Sequence, residues 1–335
     1  MYVARQIYVF FTLAFIILWP SLSVAQRNFI IDTDVAIDDV IAILYILNQK
    51  DITVQAITIE SNGNAHCKPA YANIEGILKV TQHLGIPVAC GSDKPLAGNH
   101  HFTKQVLDDC DRLGGSGFSA EHVSLPKRSA KELMVSVLQD AAEPLDILSI
   151  GPMTTIAEVI TAHPELKSKI RRIFAMGGAI SAAGNIKEVD PSSTNDSAEW
   201  NIYIDPLAAQ IVFKSSIPIT LVPLDATNQS PFNKNAYKLF EKSHSSPGAN
   251  FIYKALVNYR DLLNGGWYFW DPMAAVVAVD DSFCKFKNMK LSVRLKPESL
   301  SGSTVIDNQL GGKVRVCLDI DDSKFKRLLI NGLNG

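Results

Sequence analysis

Short apolar runs alternate with longer segments whose apolar positions recur at helical spacing. Phe29-Ile30-Ile31 is a short run ending in Asp32, and Val40 to Leu47 reads as a buried helix. Val54 to Ile59 is β-branched and strand-like, Tyr71 to Leu84 is an amphipathic helix, and Ile86 to Ala89 is a short strand. Residues 91–126 read as a long loop, rich in Gly, His and Asp. Helices are expected at Ala130 to Ala142, Thr155 to Thr161 and Leu207 to Phe213. Strands are expected at Leu145 to Ile150, Ile173 to Met176 and Ile217 to Val222. Ser181 to Asn195 is polar and irregular. Strands spaced by helices in this way predict an α/β fold: an open, mostly parallel sheet covered by helices on both faces. After Asp280 the pattern changes. Lys290 to Val293 and Lys313 to Leu318 alternate like antiparallel strands, and Phe325 to Leu333 closes as a helix. No Pro/Ser-rich linker or internal repeat interrupts residues 26–335, so one domain is expected there.

The first residues follow a different logic. Arg5 precedes an almost wholly apolar run, Ile7 to Trp19, and Ser23-Val24-Ala25 supplies small residues for cleavage. This is the pattern of a secretory signal peptide over residues 1–25. The apolar run would span about 20 Å as a helix, short of a ~30 Å hydrocarbon core, which argues against a membrane anchor. The protein is therefore expected to be exported, to a periplasm or as a secreted protein, with no stable membrane span after cleavage. The five cysteines are widely spaced and form no CxxC or Cys/His cluster, so a zinc site is not expected. Free thiols, or one incidental bridge, are the expected state. With 32 Lys+Arg against 34 Asp+Glu, the chain lacks a broad basic footprint for nucleic acid.

Candidate chemistry concentrates where the first strand meets the first helix. Asp32, Asp34, Asp38 and Asp39 place four carboxylates within eight residues. Asp38 capping the helix and Asp32 satisfying the turn would explain two of them, not four. Like charges this close repel unless neutralised, and a hard divalent cation bound by carboxylate oxygens achieves that. Further polar groups recur after expected strands: Asn62-Gly63-Asn64, Gly151-Pro152-Met153-Thr154, Gly177-Gly178 and Glu199-Trp200-Asn201. If the last group is extended, Glu199 and Asn201 share a face suited to hydroxyl recognition. Asp271 sits inside an aromatic cluster, Gly265 to Pro272, as a site residue or as a helix cap.

This ordered set resembles the nucleoside hydrolase family of the inosine-uridine preferring type, over nearly all of residues 26–335. The family's DxDxGxDDxxA motif appears as Asp32 to Ala42, with Val35-Ala36 in place of its usual Pro-Gly. Its Gly-Asn matches Gly63-Asn64, its Gly-Pro-Leu-Thr-Asn matches Gly151 to Thr155, and its Met-Gly-Gly matches Met176 to Gly178. Its Glu-Phe-Asn and following Asp-Pro match Glu199 to Asn201 and Asp205-Pro206. The resemblance implies hydrolysis of the N-glycosidic bond of ribonucleosides to ribose and free base, by a homo-oligomer that uses Ca²⁺. Asp34, Asp39, the carbonyl of Thr154 and Asp271 would be the calcium ligands. Asp34 would also be the general base towards a calcium-bound water. Asp38, Asn64, Asn201 and Asp271 would hold the ribose 2′- and 3′-hydroxyls, and Met176 would line the sugar. Glu199 and Asn185 would hold the 5′-hydroxyl, with Asn195 a rival for Asn185 because Ile186 to Ser197 resembles an insertion.

Many family members carry His before the late Asp, and here that residue is Trp270. An indole cannot act as a general acid, but it can stack on a base. Trp-Asp at this place resembles the purine-preferring branch, unless Trp270 is a core residue displaced from the site. His100 and His101 either reach the base or are solvated loop residues. Two other classes fit parts of the sequence. A haloacid dehalogenase-type phosphatase would use Asp32 as nucleophile in Asp32-Thr33-Asp34-Val35. A non-catalytic periplasmic nucleoside- or sugar-binding protein would show two similar lobes.

A site that spends charged hydrogen bonds on several sugar hydroxyls leaves buried acceptors unpaired when one hydroxyl is missing. Inosine is therefore expected to be hydrolysed far faster than 2′-deoxyinosine in parallel assays, and equal rates would refute this.

Overall fold

Residues 26–335 are described by the computed structural model, so the expected leader, residues 1–25, lies outside the described residues. In chain order the first half comprises β1 (Arg27–Thr33), α1 (Ile37–Leu47), β2 (Ile52–Ile59), α2 (Cys67–Val80), β3 (Val88–Cys90), α3 (Lys104–Asp111), α4 (Ala130–Asp140), β4 (Leu145–Ser149) and α5 (Thr154–Ala162). Then come β5 (Ile170–Met176), α6 (Ile186–Val189), α7 (Trp200–Ile204), α8 (Pro206–Phe213), β6 (Ile219–Val222), α9 (Leu224–Thr227), α10 (Lys234–Lys242) and α11 (Pro247–Leu256). The chain ends with α12 (Trp270–Val279), β7 (Cys284–Val293), β8 (Thr304–Ile306), β9 (Gly312–Ile320) and α13 (Asp322–Asn334).

The strands form one nine-stranded sheet in the order β3-β2-β1-β4-β5-β6-β9-β7-β8. β1 to β6 are parallel, β9 joins parallel to β6, and β7 runs antiparallel to both β9 and β8. The mostly parallel sheet and its small antiparallel addition are thus as expected. Successive β1 residues show why both faces must be covered. Phe29 and Ile31 enter one apolar cluster with α1 and α12, whereas Ile30 enters another with α4, α5 and α8. All eleven residues of α1 are buried, because it packs on the sheet, against α12, and under α11 and α13. At the amino end of β4, Asp146 accepts hydrogen bonds from Arg27 and Arg171 and so ties β1, β4 and β5.

The chain leaves β1 for β2 on one side and returns to β4 on the other. That reversal opens a crevice at the carboxyl ends of β1 and β4, the place where open α/β sheets bind ligands.

Four local expectations are corrected. The supposed loop 91–126 contains α3 and a 3₁₀ turn at Leu113–Gly115. Thr103 caps α3, accepting from the backbone of Val106, and the short buried face of this polar helix hid it from a periodicity reading. The irregular stretch 181–195 contains the short helix α6. Glu199 to Asn201 is not extended: Glu199 caps α7, which Trp200 begins. Finally, there are two disulfides, Cys67–Cys90 and Cys284–Cys317, with Cys110 free and buried. The pairing joins residues brought together by sheet formation, which spacing in sequence does not reveal.

Cys67–Cys90 fixes the start of α2 to the end of β3 and closes 23 residues. Loop closure of this size is worth about 3 kcal/mol. Replacing both cysteines by Ser should lower the denaturation midpoint accordingly, and an unchanged midpoint would show the bridge to be energetically idle.

Candidate active site

The turn from β1 into α1 is organised around one carboxylate. Asp39 Oδ1 accepts from the Thr33 hydroxyl (2.5 Å) and the Asp34 backbone (3.2 Å), and Oδ2 accepts from the Ala36 backbone (2.9 Å). Asp39 is the third residue of α1, so it also satisfies an open N–H at the helix start. Wrapping the chain about it forces Val35 to φ 63°. A β-branched residue there costs about 1–2 kcal/mol.

Asp34 lies beneath the turn, fully buried. Its Oδ2 accepts from both the backbone and the side-chain nitrogens of Asn64, each at 3.0 Å. Its Oδ1 is buried with no protein partner. Gly63 is required beside it, because a Cβ there would lie 2.3 Å from the Asp34 Cβ. Asp38 is the second residue of α1 and Asp271 the second of α12. The amino ends of these two packed helices converge, so their dipoles favour negative charge there. Oxygens of Asp38, Asp39 and Asp271 come within 4.8 Å of one another.

The electrostatic state follows from this crowding. Burial first, and then the charge of Asp39, push Asp38 up to about 8. Burial and neighbouring acids also hold Asp34 and Asp271 well above the ordinary carboxyl value, and burial raises Asp39. Among the described residues no Lys, Arg or His forms an ion pair with these four acids. Buried carboxylates with an unpartnered oxygen and no basic neighbour are the donor set of a hard divalent cation.

Above the acids opens a cleft of about 330 Å³. Asp38, Asn64, Met176, Asn185, Glu199, Asn201, Trp270 and Asp271 all line it. Asp34, Asp39 and Thr154 do not; they are buried beneath it. Glu199 is clamped by the backbone nitrogens of Gly178 (2.8 Å), Asn201 (2.9 Å) and Ile202 (3.2 Å), and burial raises its pKa. Asn201 donates to the carbonyls of Met176 and Ile150. Asn195 is a structural residue instead: buried, it donates to the Ser301 carbonyl and accepts from Ala198. His100 stacks on Tyr203 and contacts Glu298, and exposed His101 contacts the Asn99 carbonyl, so neither lines the cleft.

One half of the cleft is aromatic. Trp270 lies among Trp267, Tyr268 and Tyr259, while Phe102 stacks on Trp200 opposite. Trp270 thus faces the cleft and is not a displaced core residue. Phe102, just before the α3 cap, and Val106 and Asp109, on α3, are cleft residues that the sequence does not mark, because this polar segment shows no helical period. The sequence does not mark Tyr259 because its 3₁₀ segment, Val257–Asn264, has no strong period. Nor does it mark Glu60, an acid ending the β-branched run of β2. Glu60 is fully buried, accepts from the Thr155 backbone (2.7 Å), and has its carboxyl raised by burial and by the charge of the equally buried Asp32. Burial pushes Asp32 up to about 7.

Two outcomes follow. Gly63→Ala drives a methyl into Asp34, and a displacement of ~1 Å at a reacting group costs about 10²-fold in rate. Activity should fall at least that far with the far-ultraviolet circular dichroism unchanged, and wild-type turnover would refute the packing argument. In the metal-free protein, the raised acids bind more protons folded than unfolded. Their stabilisation is fully present below the ordinary value of 3.8 and is lost as pH rises through about 7 for Asp32 and about 8 for Asp38. Denaturant titrations should show metal-free stability falling across that window, and a rise would contradict the assignment.

Comparison with known proteins agrees with this geometry. The family pattern described as inosine-uridine preferring nucleoside hydrolase matches residues 29–327. A pyrimidine-specific ribonucleoside hydrolase RihA of Salmonella typhimurium (strain LT2) is 38% identical over 314 residues, covering 91% of this chain and 97% of its own. Among solved structures, the plant nucleoside hydrolase PpNRh1 has a TM-score of 0.81 at 25% identity, covering 92% of this chain and 99% of its own. An inosine-guanosine nucleoside hydrolase has a TM-score of 0.77 at 25% identity, with the same shares covered. A family pattern matched over residues 29–327, a relative sharing more than a third of its residues and the acid-floored cleft lead to one assignment: the chain belongs to the inosine-uridine preferring nucleoside hydrolase family.

Proposed function

We propose that the protein is an exported, calcium-dependent hydrolase of ribonucleosides that prefers purine nucleosides. The observation that carries the reading is the pairing of a buried acid cluster, without a basic partner among the described residues, with an aromatic wall in one cleft. The acids present suit Ca²⁺, with the oxygens of Asp38, Asp39 and Asp271 within 4.8 Å of one another; by the resemblance Asp34, Asp39, Asp271 and the Thr154 carbonyl would hold it. When bound there, the cation neutralises the cluster and acidifies a coordinated water.

The chain's own groups then divide the work. Asp34, with one oxygen fixed by Asn64 and one unpartnered, takes the proton of the attacking water. Asp38, Asn64, Asn201 and Asp271 bind the sugar's secondary hydroxyls, and Asn185 and Glu199 bind the 5′-hydroxyl. Breaking the N-glycosidic bond develops positive charge on the ribose, and preorganised carboxylates stabilise it. Met176 lies against the sugar. Trp270 stacks on the base, a contact worth about 1–3 kcal/mol.

The rival readings lose their footing. A phosphatase needs Asp32 as an accessible nucleophile, but Asp32 is fully buried, bonded to Thr58, and absent from the cleft lining. A two-lobed binding protein would divide its strands between two sheets, and here the strands form one. The pyrimidine-specific relatives support a second reading of base preference, with pyrimidine nucleosides favoured. Export is supported by the residues 1–25 pattern and by two disulfides, which persist in oxidising compartments. Among the described residues no helix is long and apolar enough to cross a membrane.

A reducing-sugar assay across inosine, adenosine, guanosine, uridine and cytidine, with and without chelator, decides between these. Purine turnover should exceed uridine turnover, chelation should abolish both, and Trp270→Ala should lower purine turnover by about tenfold or more while calcium affinity holds. Faster uridine hydrolysis would favour the second reading, and chelator-resistant activity would refute the metal.

A further inference from the structure

The sheet carries a second concave surface at the end opposite the cleft. An open groove of about 800 Å³ lies over the amino ends of β5, β6 and β9 and the middle of β7. Arg172, Lys287, Lys290, Lys313 and Arg315 line it, and among the described residues no carboxylate does. The chain as a whole carries 32 Lys+Arg against 34 Asp+Glu, so this concentration of one sign is local. Arg172 stands four residues of extended strand, ~13 Å, before Met176 of the cleft, so the groove is separate from the nucleoside site.

Strand register brings these cations together. Lys290 and Lys313 are directly opposite one another on antiparallel β7 and β9, and two residues along, Asn288 is opposite Arg315. Arg315 is in register with Thr220 on β6, whose hydroxyl accepts from Arg172 of β5 (3.0 Å). Alternate residues of a strand share a face, so Lys290, Lys313, Arg315 and Arg172 form a row across four strands, about 14 Å wide. Arg315 pairs with Asp281 (2.8 Å), but among the described residues Arg172, Lys287, Lys290 and Lys313 form no ion pair. Burial, and then the charge of Arg315, lower the pKa of Arg172. Like charges directly opposite across a ladder destabilise it, so the row carries a cost in the free protein. Lysines on an open sheet edge discourage pairing with other chains, which accounts for Lys287 and Lys290, because β8 covers only Leu291 to Val293 of β7. It does not account for Lys313 and Arg315, on a strand paired on both sides, or for Arg172 on β5.

We propose that this groove binds a small anion carrying several phosphoryl groups in a row. Charge complementarity selects the class: the lining offers hydrogen-bond donors of one sign along a line, and consecutive phosphoryl groups present negative oxygens along a line. The guanidinium groups of Arg172 and Arg315 suit phosphate oxygens bidentately, and the ammonium groups of Lys290 and Lys313 act as mobile point charges on flexible stems. A single carboxylate or phosphate meets only part of the row and binds more weakly. No aromatic side chain lines the groove, so stacked bases of a nucleic-acid strand find no platform there.

The test is calorimetric titration of inorganic tripolyphosphate into the metal-free protein, at low and at raised salt. Wild-type protein should bind one tripolyphosphate per chain, more tightly than inorganic phosphate and more weakly as salt is raised. The double variant Lys290→Gln with Lys313→Gln should lose about tenfold or more in affinity, whereas Lys290→Arg with Lys313→Arg, which keeps both charges, should retain it. Inosine turnover should be equal in all three proteins, because neither lysine lines the cleft, and equal turnover also shows that the variants are folded. Absence of binding to wild-type protein, or undiminished binding to the Gln variant, would overturn the proposal. So would wild-type protein that sediments with phosphatidylglycerol vesicles but ignores tripolyphosphate, since the groove would then serve a membrane surface. A wild-type dimer that ignores tripolyphosphate and that the Gln variant dissociates would overturn it in favour of a second copy of the chain.

Discussion

Four carboxylates are folded out of water at one point of this molecule without a basic side chain to offset them. Repulsion between such charges is strong in a low-dielectric interior, and desolvation adds to it. Only protons or a cation relieve it. Much of the surrounding architecture can be read as the means of keeping these acids together despite that cost. Asp39 draws three donors of its own turn around itself, and Gly63 leaves room for Asp34 where any side chain would intrude. The starts of α1 and α12 then direct two helix dipoles at the cluster.

The sheet supplies the rigidity this needs. β1 is flanked by β2 and β4, and alternate β1 residues bury into separate apolar clusters on its two faces. The strand ends bearing Asp34, Glu60 and Ser149 are therefore held in fixed register. The base side of the cleft is built differently. It draws on α3, α7, the 3₁₀ segment at Val257–Asn264 and the start of α12. The acid floor of the cleft thus sits at strand ends and helix starts, and its aromatic wall on shorter connecting elements. Such a division lets relatives share the reaction while differing in the base they accept.

How far the sequence foretold this varies by element. The parallel strands were legible because β-branched runs such as Val54 to Ile59 are buried on both faces, and the acids were legible because four of them crowd a single turn. The aromatic wall was half visible. Trp267 and Trp270 stand in an evident cluster, but Phe102 is a lone aromatic just before the cap of the polar helix α3, and Tyr259 lies on a 3₁₀ segment. Glu60 was illegible for another reason: its meaning depends on Asp32 and Thr155, which lie beside it only after β1, β2 and β4 have paired. The disulfides share that dependence. Glu199 and Asn201 line the cleft from a helix start, whereas their shared face was argued on the condition of an extended segment.

The central claim is that this acid cluster exists to bind a divalent cation. Calorimetric titration of calcium into metal-free protein at neutral pH, repeated in buffers of different ionisation enthalpy, measures affinity, stoichiometry and protons displaced together. One tightly bound calcium per chain, entering with release of protons from the raised carboxyls, is the predicted result. Absence of binding, or binding with no proton release, would contradict the account.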